Sequence, residues 1–288
     1  MNYIKQKYIH LMGRIVHFKI KVLDAEETVN LIKTKSSSVI RLGDGEFDLI
    51  SGKNIPYQKY DPKLGKALKQ IALEGSKADK IVCLPDVFHN INRYTKNCKI
   101  FYFDNFFYQN KKLLKEISKL DNIYGSTFIS RPYIDLVDKS NAASYFKSLK
   151  SIWKGKDLLI VEGNLTRSGE GNDLFSEVKS IKRIICPAQN AFTKKDDIEK
   201  AIKKWGKNRV VLLMLGPTAK VIVNDLADSS NQLIDLGHID TEYEWFKRKA
   251  VVKTKIPHKH TAEFNNDDKN VTLIEDLEFN KQIVEIIK

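Results

Sequence analysis

The chain has 288 residues, 42% hydrophobic and 30% charged, which is enough for one or two domains with a sizeable core and excludes a disordered chain. With 14 Gly and 7 Pro it is neither collagen-like nor low-complexity. The net charge is +13, but only eight cations are Arg, at 14, 41, 93, 131, 167, 183, 209 and 248, and scattered Lys solvates a surface more often than it reads bases, so no nucleic acid partner is expected.

In chain order, residues 1–25 come first as a basic amphipathic helix. Lys5, Lys7, Arg14, Lys19 and Lys21 alternate with Ile4, Tyr8, Leu11, Ile15 and Phe18, and no acidic residue occurs before Asp24. Residues 1–23 could lie on an anionic membrane or pack on the domain with Lys outward. No apolar run is long enough to span a bilayer and no signal peptide is evident, so the expected setting is cytoplasmic, with peripheral contact at the inner membrane face as an option. The cysteines Cys83, Cys98 and Cys186 are odd in number and widely spaced, which argues against a disulfide framework or a zinc knuckle.

From residue 38 onward, short continuous apolar runs predict strands buried on both faces of a parallel sheet. They cover 38–42, 80–84, 99–103, 157–161, 183–186, 209–215 and 232–236. Amphipathic stretches at 62–74, 111–120, 173–180, 194–205 and 218–227 fall between them, which predicts an α/β fold. No repeat or linker divides residues 26–260, the expected catalytic domain. Residues 261–288 are expected to form a peripheral extension ending in a helix over 279–287.

Ligands of open parallel sheets bind beyond the carboxyl ends of the strands. Here those ends read Gly43-Asp-Gly-Glu46, Glu162-Gly-Asn-Leu-Thr-Arg-Ser-Gly-Glu-Gly-Asn-Asp173, Gly216-Pro-Thr218 and Gly237-His-Ile-Asp-Thr-Glu-Tyr-Glu244. Asp44 and Glu46 form a D-x-E pair that can point both carboxylates at one hard cation, or simply start a helix. Asp240 and Glu242 form a second such pair. The loop after Val161 matches neither a P-loop nor a dinucleotide fingerprint, yet its glycines permit close backbone approach and Arg167 offers a forked donor for phosphate. Gly216-Pro217-Thr218 reads as a helix start whose free N–H groups can hold an anion. His238 is either structural or a ligand, base or diphosphate contact. Trp245 and Tyr243 suit a core as well as a stacking platform, and His258 and His260 have no metal-ligand spacing.

Taken together, Val39–Phe47, Ser130–Asp135, Ile160–Gly163 with Thr166-Arg167 and Gly171–Phe175, Leu215–Thr218 and Asp235–Trp245 resemble, in order, the GT-D fold glycosyltransferases of bacteria, some of which extend glycans on serine-rich adhesins or act in surface-polysaccharide clusters. The resemblance covers about residues 30–250. It implies a Rossmann-like catalytic domain that takes a hexose from a nucleotide sugar, commonly a UDP-hexose, to a glycan or glycoprotein hydroxyl, with Mn²⁺ or Mg²⁺. Asp44 and Glu46 match its metal motif. The expected donor-binding residues are Arg41, Gly43, Arg131, Glu162, Arg167, Asn172, Asp173, Thr218 and His238, and Asp240 or Glu242 is expected either to accept the acceptor's proton or to help hold the metal. Glu170, between Gly169 and Gly171, departs from the uncharged residue expected there. Two other classes also fit the residues: a metal-dependent phosphoester or nucleotide hydrolase, and a non-catalytic module for anionic polymers. Oligomeric state is not encoded in any motif.

Overall fold

A computed structural model describes residues 18–88, 90–227 and 231–288, without the side chains of 265–267. Nine strands form one parallel sheet: β1 (Lys21–Val22), β2 (Ser38–Arg41), β3 (Lys80–Leu84), β4 (Ile123–Ser126), β5 (Asp157–Gly163), β6 (Ser180–Cys186), β7 (Val210–Met214), β8 (Leu233–Asp235) and β9 (Ile283–Ile286). Their spatial order is β1-β4-β3-β2-β8-β7-β5-β6-β9. The longer helices are α1 (Ala25–Lys35), α2 (Asp44–Ile50), α3 (Pro62–Glu74), α4 (Lys96–Phe101), α5 (Lys111–Ile117), α6 (Ala142–Lys150), α7 (Lys195–Trp205), α8 (Gly216–Leu226), α9 (Ile239–Lys247) and α10 (Leu277–Gln282). The Rossmann-like layering expected from the sequence is what the chain adopts.

Alternation along each strand divides the core into two layers. Ile40, Val82 and Leu213 face α3, α5, α7 and α8 on one side. Val39, Ile81 and Leu212 face α1, α6 and α9 on the other. Connections that step toward the β1 edge run through the first layer, and those that step toward the β9 edge run through the second. A single hand of crossover requires this arrangement. Loops on both faces therefore meet at the carboxyl ends of the central strands.

Several elements differ from the sequence expectation. Residues 99–103 are not a strand: α4 runs on through a wide helical turn at Tyr102–Phe106 and a further turn at Phe107–Gln109. The aromatics that favour a strand here also space Cys98, Tyr102 and Phe106 four apart, and the helix buries Tyr102 and Phe106 beside Phe47 and Phe128. The strand that lies beyond β3 is instead β4, whose Gly125 conceals it in the sequence. A Cβ there would lie 2.8 Å from atoms of Cys83, Ile81 and Thr28, so only glycine lets β4 lie so close to β3 and α1. Residues 173–179 are turns rather than helix, leading directly into β6. At the amino end, Lys21 and Val22 pair with Ile123 and Tyr124 of β4 rather than continuing a helix, and the rest of the expected helix, residues 1–17, lies outside the described residues.

The expected helix over 279–287 is also split. Asp276 caps α10 by accepting from the Phe279 N–H, and the chain then turns into β9, which pairs with β6. The extension is thus an edge strand of the sheet. Phe279 is buried between two guanidinium groups, Arg167 and Arg183, each 4.3 Å from the ring centre. Cation–π attraction from both guanidinium groups pins the extension to β6 and to the loop after β5. Phe279→Ala should cost about 3 kcal/mol in urea unfolding, whereas a loss below about 0.5 kcal/mol would show that the extension rests on the domain without supporting it.

Candidate active site

A cavity of about 850 Å³ opens at the carboxyl ends of β2, β4, β5, β7 and β8. Gly43, Asp44, Thr127, Phe128, Thr166, Gly216, Gly237 and His238 line it from these strand ends. Three of the four glycine-bearing strand ends noted in the sequence therefore place a glycine in the cavity wall. Two of these glycines adopt left-handed backbone, Gly216 at φ 49° and Gly237 at φ 49°. Side chains are excluded at both: a Cβ on Gly216 would lie 2.7 Å from the Tyr57 ring, and one on Gly237 would collide with Nη2 of Arg41.

The cavity floor is an alternating chain of charges. Arg41, at the end of β2, donates its main-chain N–H to Asp235 Oδ2 at 3.1 Å, its Nε–H to the Asp235 carbonyl at 3.0 Å and its Nη2–H to Asp235 Oδ1 at 3.4 Å. Its Nη1 donates to the Thr127 carbonyl at 3.1 Å and to the Ser130 hydroxyl. The other flank of Asp235 meets Lys220 Nζ at 3.0 Å, and Lys220 also lies 3.4 Å from Glu46 Oε1. Glu46 Oε2 accepts from the Gly43 N–H at 2.8 Å. Asp235, Lys220 and Glu46 are all buried.

This arrangement separates the two carboxylates of the D-x-E pair. Asp44 and Glu46 are two positions apart in α2, hence about 200° apart around the helix. Glu46 turns back to cap its own helix and to meet Lys220, while Asp44 is open to the cavity. The expectation that both carboxylates point at one cation is not met in this arrangement. Enclosure by the surrounding walls nonetheless pushes both carboxyls above their ordinary range, against the pull of Arg131 on Asp44 and of Lys220 on Glu46. His238 is half-buried beside His260, with ring centres 5.3 Å apart. Burial, aided by the His260, Arg131, Arg41 and Lys220 charges, holds it well below the usual imidazole value, so it is neutral at neutral pH.

Arg131 lines the wall, but two carboxylates already hold it: its Nη2 lies 2.8 Å from Asp135 and 2.7 Å from Glu263. Lys253 bridges the same two carboxylates from the rim. The lining thus carries four cations (Arg41, Arg131, Lys220 and Lys253) and five carboxylates (Asp44, Glu46, Asp48, Asp135 and Glu263). The chain's large positive charge is not concentrated here. Aromatic and apolar groups, including Tyr57, Phe101, Tyr102 and Phe128, share the remaining wall with uncharged polar ones such as Asn54, Thr95, Asn97 and Thr166.

The other expected site residues stand outside the cavity. Glu162 is fully buried, accepting from the Ser168 N–H at 2.7 Å and paired with Arg183. Arg167 is committed to Glu170, to the Ile274 carbonyl and to the Phe279 ring, so its fork is not offered to a phosphate. The unexpected charge at Glu170 is therefore the partner that occupies Arg167. Asn172 donates to Asp240 at 2.8 Å and to Glu244 at 2.7 Å, while Asp173 pairs with Lys247 at 3.0 Å and Lys150 at 3.3 Å on the surface. Thr218 is buried in the first turn of α8, and its hydroxyl has no partner among the described residues.

Neither carboxylate of the second pair reaches the cavity either. Asp240 accepts from the Gly169 N–H at 2.7 Å and from Lys259 at 2.8 Å, which ties the glycine-rich loop to α9 and to the segment before residue 260. Glu242 accepts the N–H groups of Tyr133 at 2.7 Å and Ile134 at 2.8 Å. It holds the back of the wall that carries Arg131. Sequence reading did not single out Lys220, which lines the cavity, or Asp235, which is buried between Arg41 and Lys220. The signal for Lys220 was its position one helical turn after Gly216, on the same face of α8 as a glycine at a strand end.

Residues 39–264 match the family model described as Glycosyltransferase GT-D fold. The chain is 47% identical over 266 residues to "Probable glycosyl transferase Gly" of Streptococcus gordonii, covering 92% of this chain and 39% of that protein. It is equally 47% identical over 265 residues to "Glycosyltransferase GlyD" of Streptococcus pneumoniae serotype 4, covering 92% of this chain and 32% of the other. The chain thus spans about a third to two fifths of the curated relatives it matches. Among solved structures, one described as "The highly conserved domain of unknown function 1792 has a distinct glycosyltransferase fold" superposes with a TM-score of 0.89 at 48% identity, over 99% of this chain and 100% of that one. Another, "A New Glycosyltransferase (DUF1792) from Streptococcus sanguinis", gives 0.90 at 46% identity, over 93% and 100%.

Burial pushes the Glu242 carboxyl up to about 7, against Arg131 and its two N–H donors. A carboxyl raised on folding contributes stability that is fully present below its unfolded value and lost as pH rises through the folded one. Glu242→Gln keeps an acceptor for both N–H groups without the charge. Its melting temperature relative to the parent should therefore rise between about pH 5 and pH 8, and a constant difference across that range would place the carboxyl's titration elsewhere.

Proposed function

Because the chain belongs to the GT-D fold family of glycosyltransferases, we propose that it moves a hexose from a nucleotide sugar, UDP-hexose first among them, to a hydroxyl of a glycan or glycoprotein in surface glycan or adhesin glycosylation. The observation that carries this reading is the near-balanced charge of a large cavity with an open carboxylate, Asp44, at the strand ends. A diphosphate entering a lining of four cations and five carboxylates brings negative charge that the protein does not offset, so it calls for a companion cation.

Among the described residues no group of three or more His, Cys, Asp or Glu is placed to hold a metal. Mg²⁺ or Mn²⁺ of the substrate-borne kind needs less, since one or two carboxylates join phosphate oxygens and water around it. Asp44 would hold it, with Glu46 joining only if its side chain leaves Lys220. Such an ion supplies Lewis-acid stabilisation of the departing diphosphate. The protein's own contribution is positional. Arg41 is fixed across the floor by its side-chain N–H groups. The glycines at 216 and 237 let Tyr57 and Arg41 pack directly against the backbone, which fixes both side chains in the lining. The acceptor oxygen bonds to the anomeric carbon as the bond from that carbon to the diphosphate breaks, and a carboxylate of the lining takes the acceptor's proton.

A panel of UDP- and GDP-sugars with Mn²⁺ or EDTA, read as released nucleoside diphosphate with and without glycan acceptors, tests the reading. One donor should turn over with metal, and mainly when acceptor is present. Turnover that ignores acceptor would instead indicate a hydrolase. Asp44→Asn should lose at least about 100-fold in rate with no loss of melting temperature. Full activity in Asp44→Asn would overturn the assignment.

Peripheral contact with an anionic membrane through residues 1–23 is part of the same proposal, supported by their charge pattern. Deleting residues 1–17 should reduce sedimentation with phosphatidylglycerol vesicles while sparing transfer to a soluble acceptor; equal sedimentation would remove the membrane role.

A further inference from the structure

Lys220 is buried, lines the cavity and belongs to none of the motifs that mark the strand ends. The cavity's other cations are already engaged. Arg41 commits four of its five side-chain N–H donors to Asp235, Thr127 and Ser130, and its Nη2 packs against Gly237. Arg131 and Lys253 are shared between Asp135 and Glu263 at the wall and rim. Among the described residues, Lys220 has two neighbours of opposite charge, Asp235 at 3.0 Å and Glu46 at 3.4 Å, for three ammonium donors.

We propose that Lys220 is the cation of the cavity floor that binds the anionic group of the ligand, donating to an oxygen of a phosphate or diphosphate. The two carboxylates beside it fix the ammonium in place without exhausting its donors. A flexible surface Lys would lose rotamer entropy on meeting a phosphate, whereas here that entropy is already lost on folding. Asp235 couples the site further. Its Oδ2 meets both Lys220 Nζ and the Arg41 N–H, so the floor cation is tied directly to the strand that leads into Asp44. The inference rests on the nucleotide-sugar reading for the identity of the anion, but not for its chemistry.

The test uses the full chain and two probes, inorganic pyrophosphate and UDP, with uridine as the uncharged control, read by calorimetry. Lys220→Met should weaken pyrophosphate and UDP at least about ten-fold and leave uridine unchanged, and Lys220→Arg should restore most of the loss. Unchanged pyrophosphate affinity in folded Lys220→Met overturns the proposal. If Lys220→Met does not fold, the ¹⁵N-labelled parent decides. Its protected ammonium resonance, assigned by its absence from Lys220→Arg, should shift on saturation with pyrophosphate, and no shift overturns the proposal. Pyrophosphate binding that depends on Lys220 in a protein that turns over no nucleotide sugar would leave this inference standing and bring down the transferase reading. Donor turnover that is equal in the parent and in Lys220→Met would do the reverse.

Discussion

A fully buried carboxylate, Asp235, has to be paired, and the way it is paired shapes the site. Removing an ion from water costs several kcal/mol unless partners replace the lost hydration. Asp235 finds those partners on two different elements, Arg41 at the end of β2 and Lys220 on α8, so its charge joins the two halves of the sheet at the place where strand order changes direction. Glu46 extends the chain of charges to the start of α2. Four ionisable groups on four elements thus hold one another at the floor of a cavity whose wall includes Gly43, Gly216 and Gly237.

The same pairing explains why a strongly basic chain has a site that is not basic. Among the described lysines only Lys80, Lys220 and Lys259 are buried, and most of the others solvate the surface, whereas each cation in the cavity has a carboxylate within reach. Specificity in such a lining comes from which donors remain after the internal pairs are made, rather than from an excess of one sign. On the proposed reading the discriminating groups are not the arginines, which are largely satisfied, but the less conspicuous ammonium and the open carboxylate.

The architecture was legible because continuous apolar runs at 38–42, 157–161 and 209–215 have no other good use than a sheet covered on both faces. The cavity's position was legible for a related reason: parallel strands bring their carboxyl ends together, so Gly43, Gly216 and Gly237 meet in its wall although they are far apart in sequence. What the residues did at those ends was less legible. Arg167 and Asp240 carry the right chemistry in the right loops, but each is used up by a partner, Glu170 or Lys259, that only packing brings into reach. Lys220 is the opposite case, since it reads as an ordinary helical lysine until α8 is seen to turn that face toward Asp235. β4 and β9 were hidden by local composition, a glycine that packing demands in one and a helix-like spacing in the other.

The paired guanidinium clamp on Phe279 has a kinetic side. Arg183 and Arg167 are made about a hundred residues before the ring that they enclose, and β6 about as long before the strand that covers its edge. Closing a loop of that length is slow compared with local helix formation. On a ribosome the glycine-rich loop would therefore emerge early and wait, with its two guanidinium groups unstacked, and the sheet's last edge would stay open to other strands until the C-terminal segment arrived.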